Sequence, residues 1–190
     1  MAEPSVIYDF NPNSLPPELL KAVGLVTAAA SQLDGILGNL LTGMLGLDVI
    51  DGTALTTHMA IPLKDQIIRT LADTNAPSVN AIDDLDEILD EVKAAFDLRN
   101  VVVHNAICMH PTTGEAMSMR MSARGSLQMT LQVISIEKMH EDAALIYEVG
   151  MRLMTFMISR GIGPSERTRP MMASVKRGQK ARAERRNLAG

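Results

Sequence analysis

The sequence predicts a mainly α-helical domain: a bundle of about four helices, a small β-hairpin inserted before the last of them, and a disordered basic C-terminal tail. Three observations predict it. Apolar residues recur at alternating three- and four-residue intervals over long stretches, the spacing of a helix face that packs on another helix. Between Met117 and Val133 the period falls to two on both sides of a glycine-containing turn, which is the pattern of a half-buried hairpin. Beyond Arg160 large apolar residues thin out while basic ones accumulate, so this stretch lacks the surface to order itself by burial.

Residues 1–13 read as an extended lead, 14–161 as the domain and 162–190 as the tail. Ser14 is placed to cap a first helix that opens with Leu15-Pro16-Pro17-Glu18, prolines and an acid being favoured in a first turn. Leu19, Val23, Val26, Ala30, Leu33, Leu37, Leu40 and Met44 give that helix one long seam, with a slim middle at Ala28-Ala29-Ala30. Gly43 and Gly46 end it, and residues 47–57 are expected as a loop. A shorter helix starts near Ala60, has Pro62 in its first turn and carries Leu63, Ile67, Ile68 and Leu71; Lys64 and Arg69 are expected to face solvent, with lining a groove as the alternative.

Ser78 is a candidate cap for a third helix with the stripe Ile82, Leu85, Leu89, Val92, Phe96 and Val103. Its first half is crowded by Asp83, Asp84, Asp86, Glu87, Asp90 and Glu91, which complement the helix dipole and are expected as a solvated face. This helix is expected to carry Cys108 on a face close to that of His104 and to close at Pro111. A hairpin follows over about residues 115–134. Met117, Met119 and Met121 alternate with Ser118, Arg120 and Ser122, and past the turn Ala123-Arg124-Gly125 the apolar positions are Leu127, Met129, Leu131 and Val133. The Met and Leu face is expected to cover the bundle. Ser135 caps the last helix, which runs from Ile136 to about Arg160 with Met139, Ala143, Ile146, Val149, Leu153 and Met157 inward, until Gly161, Gly163 and Pro164 end it.

Hydrophobic content of 46% suffices for a core, but aromatic content of 3% with no Trp makes that core aliphatic, with 14 Met residues as adaptable filling. The net charge of −4 hides an asymmetry: from Arg160 onward nine basic residues face two acidic ones, net +7, and the remainder is net −11. One cysteine, Cys108, excludes an intramolecular disulfide and suits a reducing compartment. The start Met1-Ala2-Glu3-Pro4-Ser5 shows no secretory pattern. The most apolar region, 19–47, is interrupted by Lys21, Gln32, Asp34 and Asn39 before it reaches the roughly 20 apolar residues of a membrane span. A cytoplasmic protein with no membrane partner is expected.

The chemistry concentrates in Asp97-Leu98-Arg99-Asn100-Val101-Val102-Val103-His104-Asn105. Arg99 occupies the next slot of the apolar stripe, and Asn100 and His104, four apart, share a face beside it. A guanidinium matches phosphate oxygens, an imidazole titrates near neutrality, and an amide can orient either the ring or a ribose hydroxyl. The same residue types also suit a helix interface in which Arg99 pairs with a carboxylate and His104 only packs. The six acids of the third helix lack a ligand-spaced histidine, and Cys108 with His104 supplies only two ligands, so neither a metal nor another cofactor is expected.

Arg99-Asn100-x-x-x-His104, closing an acidic amphipathic helix, resembles the Arg-x(4)-His signature of the HEPN superfamily, and the segment from His110 to Met139 resembles a bacterial HEPN-like group with a hairpin before the last helix. The resemblance spans roughly residues 15–160 as architecture and only the short motif as chemistry. It implies a metal-independent endoribonuclease, toxin or defence related, with Arg99, Asn100 and His104 as catalytic residues in a composite homodimer site. An antitoxin or other protein partner is compatible with it. RNA contacts are then expected from Arg120 and Arg124 of the hairpin and from Lys176, Arg177, Lys180, Arg182, Arg185 and Arg186 of the tail. Two other readings stay open: a non-catalytic HEPN-like dimeric interaction module, and an RNA-binding adaptor acting through its tail.

Overall fold

A computed structural model of the chain describes residues 7–75, 79–122 and 128–166. Among the described residues, five α-helices and a three-stranded antiparallel sheet follow one another as α1 (Pro17–Met44), α2 (Val49–Thr56), α3 (Ile61–Asn75), α4 (Val79–His104), β1 (Ala106–Met109), β2 (Ala116–Ser122), β3 (Gln128–Val133) and α5 (Ile136–Ser159). The central element is α1, which touches every other helix. Its length and apolar character would by themselves suit a membrane, but here Leu19, Val26, Leu33, Leu37 and Leu40 are buried in the bundle core. The start differs from expectation. Ser14 ends a short 3-10 turn (Pro12–Ser14), and α1 begins at Pro17 with no side-chain cap, because the residue before it is Pro16, whose side chain has no acceptor.

Helices α1 and α5 end by the same device. At the end of α1, Gly46 has φ +65° and Leu47 N–H donates to the Thr42 carbonyl at 3.1 Å. At the end of α5, Gly161 has φ +63° and Ile162 N–H donates to the Met157 carbonyl at 2.9 Å. A left-handed residue at that position is what glycine supplies without strain, and the bond satisfies an orphan carbonyl. The start of α5 is as expected: Ser135 Oγ accepts from Lys138 N–H at 3.1 Å, and Met139, Ala143, Ile146, Val149, Leu153 and Met157 are all buried.

The segment expected as a loop after α1 holds α2. Asp48 caps it by accepting from the N–H groups of Ile50 and Asp51, and Gly52 lets the helix press onto α1, since a Cβ there would overlap the Thr42 side chain. The face of α3 is rotated from the expected one: Leu63 is exposed, while Lys64, Ile68 and Ala72 form the buried row. In α4 the core takes Val102 and leaves Val103 outside, so the buried row runs Ile88, Val92, Ala95, Arg99, Val102, with Arg99 itself partly exposed.

The acids of α4 are mostly exposed but not idle. Arg69 of α3 reaches Asp86 and Asp90 at 2.7 Å each and Asp65 at 3.2 Å. From α5, Arg152 contacts Glu91 and Glu87, and Arg160 reaches Asp84 at 3.2 Å. Five of the six acids therefore tie α4 to its neighbours while their face stays solvated as expected, with side-chain exposures from 33% for Glu91 to 76% for Asp90. The Arg69 guanidinium, despite the burial that opposes its charge, is held above the usual arginine range by Asp90, Asp65 and Asp86.

The sheet corrects two further expectations. The helix stops at His104, and Ala106–Met109 forms β1 against β2, with Cys108 opposite Met117; the hairpin's free edge takes the next extended residues, and Asp9 bridges the outer side of β1 at Met109. The hairpin itself lies at 116–133, inside the predicted span, with Met121 opposite Met129. Its Met face does not cover the bundle: Met121, Met129 and Val133 are 59%, 60% and 54% exposed. The inward face is the one carrying Ile107, Ser118 and Gln132, which line a small cavity with Val102, Met139 and Asp142. A polar inner face suits this seam because Asp142, only 8% exposed, lies in it. Lys138 Nζ lies 2.9 Å from Asp142 Oδ1, an ion pair that holds the ammonium's ionisation above its ordinary value.

Candidate active site at the end of the motif helix

The last turn of α4 brings the three motif side chains together. Arg99 Nη1 lies 3.1 Å from Asn100 Oδ1 and 3.1 Å from His104 Nε2. Helix geometry accounts for it: residues 100 and 104 are one turn apart on one face, and the long Arg99 side chain bends across from the seam. A guanidinium only donates, so His104 Nε2 is the acceptor and its ring proton resides on Nδ1. As the only basic residue of the last turn, His104 also lies at the negative end of the helix dipole. Among the described residues no carboxylate pairs with Arg99; its side-chain partners are Asn100 and His104.

These residues line one end of a cleft of about 580 Å³ between α1, the N-terminus of α3 and the second half of α4. Its apolar lining comes from Ala30, Ile61, Pro62, Val92 and Phe96, and its other polar groups are Ser31, Asp34, Asp65, Lys93 and Asp97. The volume falls in the range of small-ligand sites, which combine an apolar lining with a few converging polar groups. Asp65 is engaged by Arg69, and Asp34 by Lys64 at 2.5 Å. The Lys64 side chain is 3% exposed, so the expectation of a solvent-facing charge is corrected; the carboxylate of Asp34 supplies what a buried ammonium needs.

Sequence reasoning identified the α4 wall of this cleft and missed the opposite one. Two signals for the missed wall exist in the chain: Asp34 interrupts an apolar run, and Lys64 precedes Ile68 and Ala72 by four and eight positions, which puts it on their buried row. Arg120 is exposed on β2 opposite Thr130 and is not among the residues that line the cleft. Arg124, Lys176, Arg177, Lys180, Arg182, Arg185 and Arg186 lie outside the described residues, as do Ser78 and the hairpin turn.

Cys108 does not join the site. It is buried on β1 past the helix end, with its thiol 3.7 Å from the Met117 carbonyl, and burial pushes its ionisation above the usual thiol value. A thiol held neutral is a poor nucleophile and a poor metal ligand. Among the described residues no three His, Cys, Asp or Glu side chains converge in a way that could hold a metal ion. No family model, curated protein or solved structure matches the chain, so its chemistry is read from these side chains alone.

Proposed function

We propose that the chain is an HEPN-like, metal-independent endoribonuclease that works as a homodimer. One observation carries this reading: a guanidinium with no carboxylate partner among the described residues holds an imidazole and an amide at 3.1 Å in an open cleft. Positive charge that no neighbouring acid neutralises is available to a phosphate. In the reaction, His104 Nε2 releases Arg99 and takes the proton of a ribose 2′-hydroxyl. The 2′-oxygen bonds to the adjacent phosphorus, the bond to the 5′-oxygen breaks, and solvent protonates that leaving oxygen. Arg99 stabilises the charge that builds on the phosphoryl oxygens, and Asn100 orients the reacting groups. The salt bridges of Arg69, Arg152 and Arg160 offset much of the acidic charge on the preceding turns of α4, which lowers its repulsion of a polyanion. Exposed Val101 and Val103, between Asn100 and His104, suit a second copy of the same helix end.

The test is cleavage of labelled single-stranded RNA in chelator by the parent, Arg99→Ala and His104→Ala at matched folding. Loss of cleavage in both variants supports the reading; equal cleavage in all three, or none in the parent, defeats it. The exposed sheet face of Met121, Met129 and Val133 favours a second reading, an interaction module in which Arg99 and His104 do no chemistry. An inactive parent whose partner binding is lost in Met129→Lys and kept in His104→Ala supports that alternative.

A further inference from the structure

Asp34 stands on α1, across the cleft from the motif helix, and the chain builds a support beneath it. Lys64 enters from α3 with its side chain 3% exposed and donates to Asp34 Oδ1 at 2.5 Å. Beside that ammonium, Gly38 lets Thr56 pack closely on α1: a Cβ there would come within 3.2 Å of Thr56 Oγ1, while Lys64 Nζ, 4.0 Å away, would be in ordinary contact. Asp34 itself keeps 42% of its side chain exposed, and Lys64 is its side-chain partner among the described residues. A carboxylate has about four lone-pair sites, so one donor from below leaves most of its accepting capacity directed elsewhere. Here the cation is buried and the anion lines the cleft.

The rest of the cleft says what that acceptor meets. Phe96 lines it one helical turn before Asn100, and Val92 and Ile61 add apolar surface. One turn is a rise of about 5.4 Å, comparable to the reach from a nucleobase to its own phosphate, so a base against Phe96 leaves its phosphate at Arg99. We infer that the cleft selects guanine, with Asp34 accepting from two neighbouring donors of the base while Phe96 supports its ring. This rests on the nuclease reading for the role of Arg99. Guanine alone among the four RNA bases presents two adjacent donors, N1–H and the 2-amino group, to a pair of carboxylate oxygens. Adenine and cytosine set a ring-nitrogen acceptor beside their amino group, and uracil flanks its single N–H with carbonyls; each turns an acceptor toward the carboxylate. Lys64 makes the arrangement compatible with a nearby phosphate, because the pair is neutral as a whole.

The experiment titrates the 3′-monophosphates of guanosine, adenosine, cytidine and uridine into the full chain and follows binding by calorimetry. The parent is expected to bind the guanosine nucleotide at least about fivefold more tightly than the other three, the least that a bidentate pair gives. Asp34→Asn should bring the four within about threefold, since an amide offers one acceptor and one donor. Because that variant leaves Lys64 without its anion, Asp34→Asn/Lys64→Met is measured alongside and should show the same levelling. Equal affinity of the parent for all four overturns the guanine assignment while leaving the nuclease reading in place. A guanine preference that persists in both variants overturns the role of Asp34, and no binding of any nucleotide overturns the assignment and the nuclease reading together.

Discussion

The two ends of α4 treat charge in opposite ways. Over its first half, five acids meet arginines from α3 and α5, so nearly every charge has a fixed partner across a helix seam. Near its C-terminal end Arg99 meets no carboxylate among the described residues, only an amide and an imidazole, and it faces a cleft. The same helix therefore uses arginine partners as fasteners at one end and keeps its own arginine available at the other. The difference separates architecture from chemistry: a charge already matched within the fold has little left to offer a ligand.

Breaking the available end should change activity far more than stability. Arg99→Ala and His104→Ala are each expected to lower RNA cleavage by about 10²–10⁴-fold, the range of a lost acid–base or charge-stabilising group. Both residues keep solvent contact, so their unfolding free energies in urea should stay within about 0.5 kcal/mol of the parent. A loss of several kcal/mol in His104→Ala would show that this end is a fastener too, and the contrast would collapse.

The next largest effect lies beneath the cleft. Asp34→Ala strands a buried ammonium. Removing one partner of a fully buried pair costs about 3–5 kcal/mol, and because Asp34 is partly solvated the expected loss is about 1–3 kcal/mol. Adding Lys64→Met should recover most of it, and urea denaturation of the single and double variants reads both numbers. No recovery would mean that Lys64 matters for more than its charge. Arg69→Ala follows at about 1–2 kcal/mol, since it leaves Asp65, Asp86 and Asp90 facing one another with no cation between them. Thermal melting should show that deficit shrinking as salt screens the acids.

The long stripes of α1 and α5 were legible because a period near 3.6 sustained over six or seven turns arises in little besides a packed helix, and Ser135 announced its helix by position alone. The short α2 was not, since eight residues give too little periodicity and its stability comes from Asp48 and from contact with Thr42. Strand β1 was hidden for a different reason: what makes residues 106–109 extended is the open edge of β2, a partner about ten residues further on. The facing of the hairpin depends on a carboxylate, Asp142, that only the folded chain brings under it. For the site, the spacing of Arg99 and His104 could be read along one helix, whereas Asp34 lines the cleft from α1 and is held by Lys64 of α3. Local pattern reports faces of one element; walls of a cleft are set by how elements meet.

The smallest effect sharpens the comparison at the fastened end. Arg152 and Arg160 pair with Glu91, Glu87 and Asp84 on exposed ground, where the arginine side chains remain 49% and 36% accessible. Water screens such pairs, and the entropy of fixing two long side chains opposes them, so each is worth about 0.2–1 kcal/mol. A double-mutant cycle on Arg152→Ala and Glu91→Ala should return a coupling in that range at low ionic strength and close to zero near about 0.5 M salt, where the Debye length is only about 4–5 Å. A coupling that persisted in high salt would mean that Arg152 is held by packing along its aliphatic stem rather than by charge. The matched half of α4 would then owe its rigidity to shape, and the freedom of Arg99 could no longer be traced to which carboxylates its neighbours had claimed.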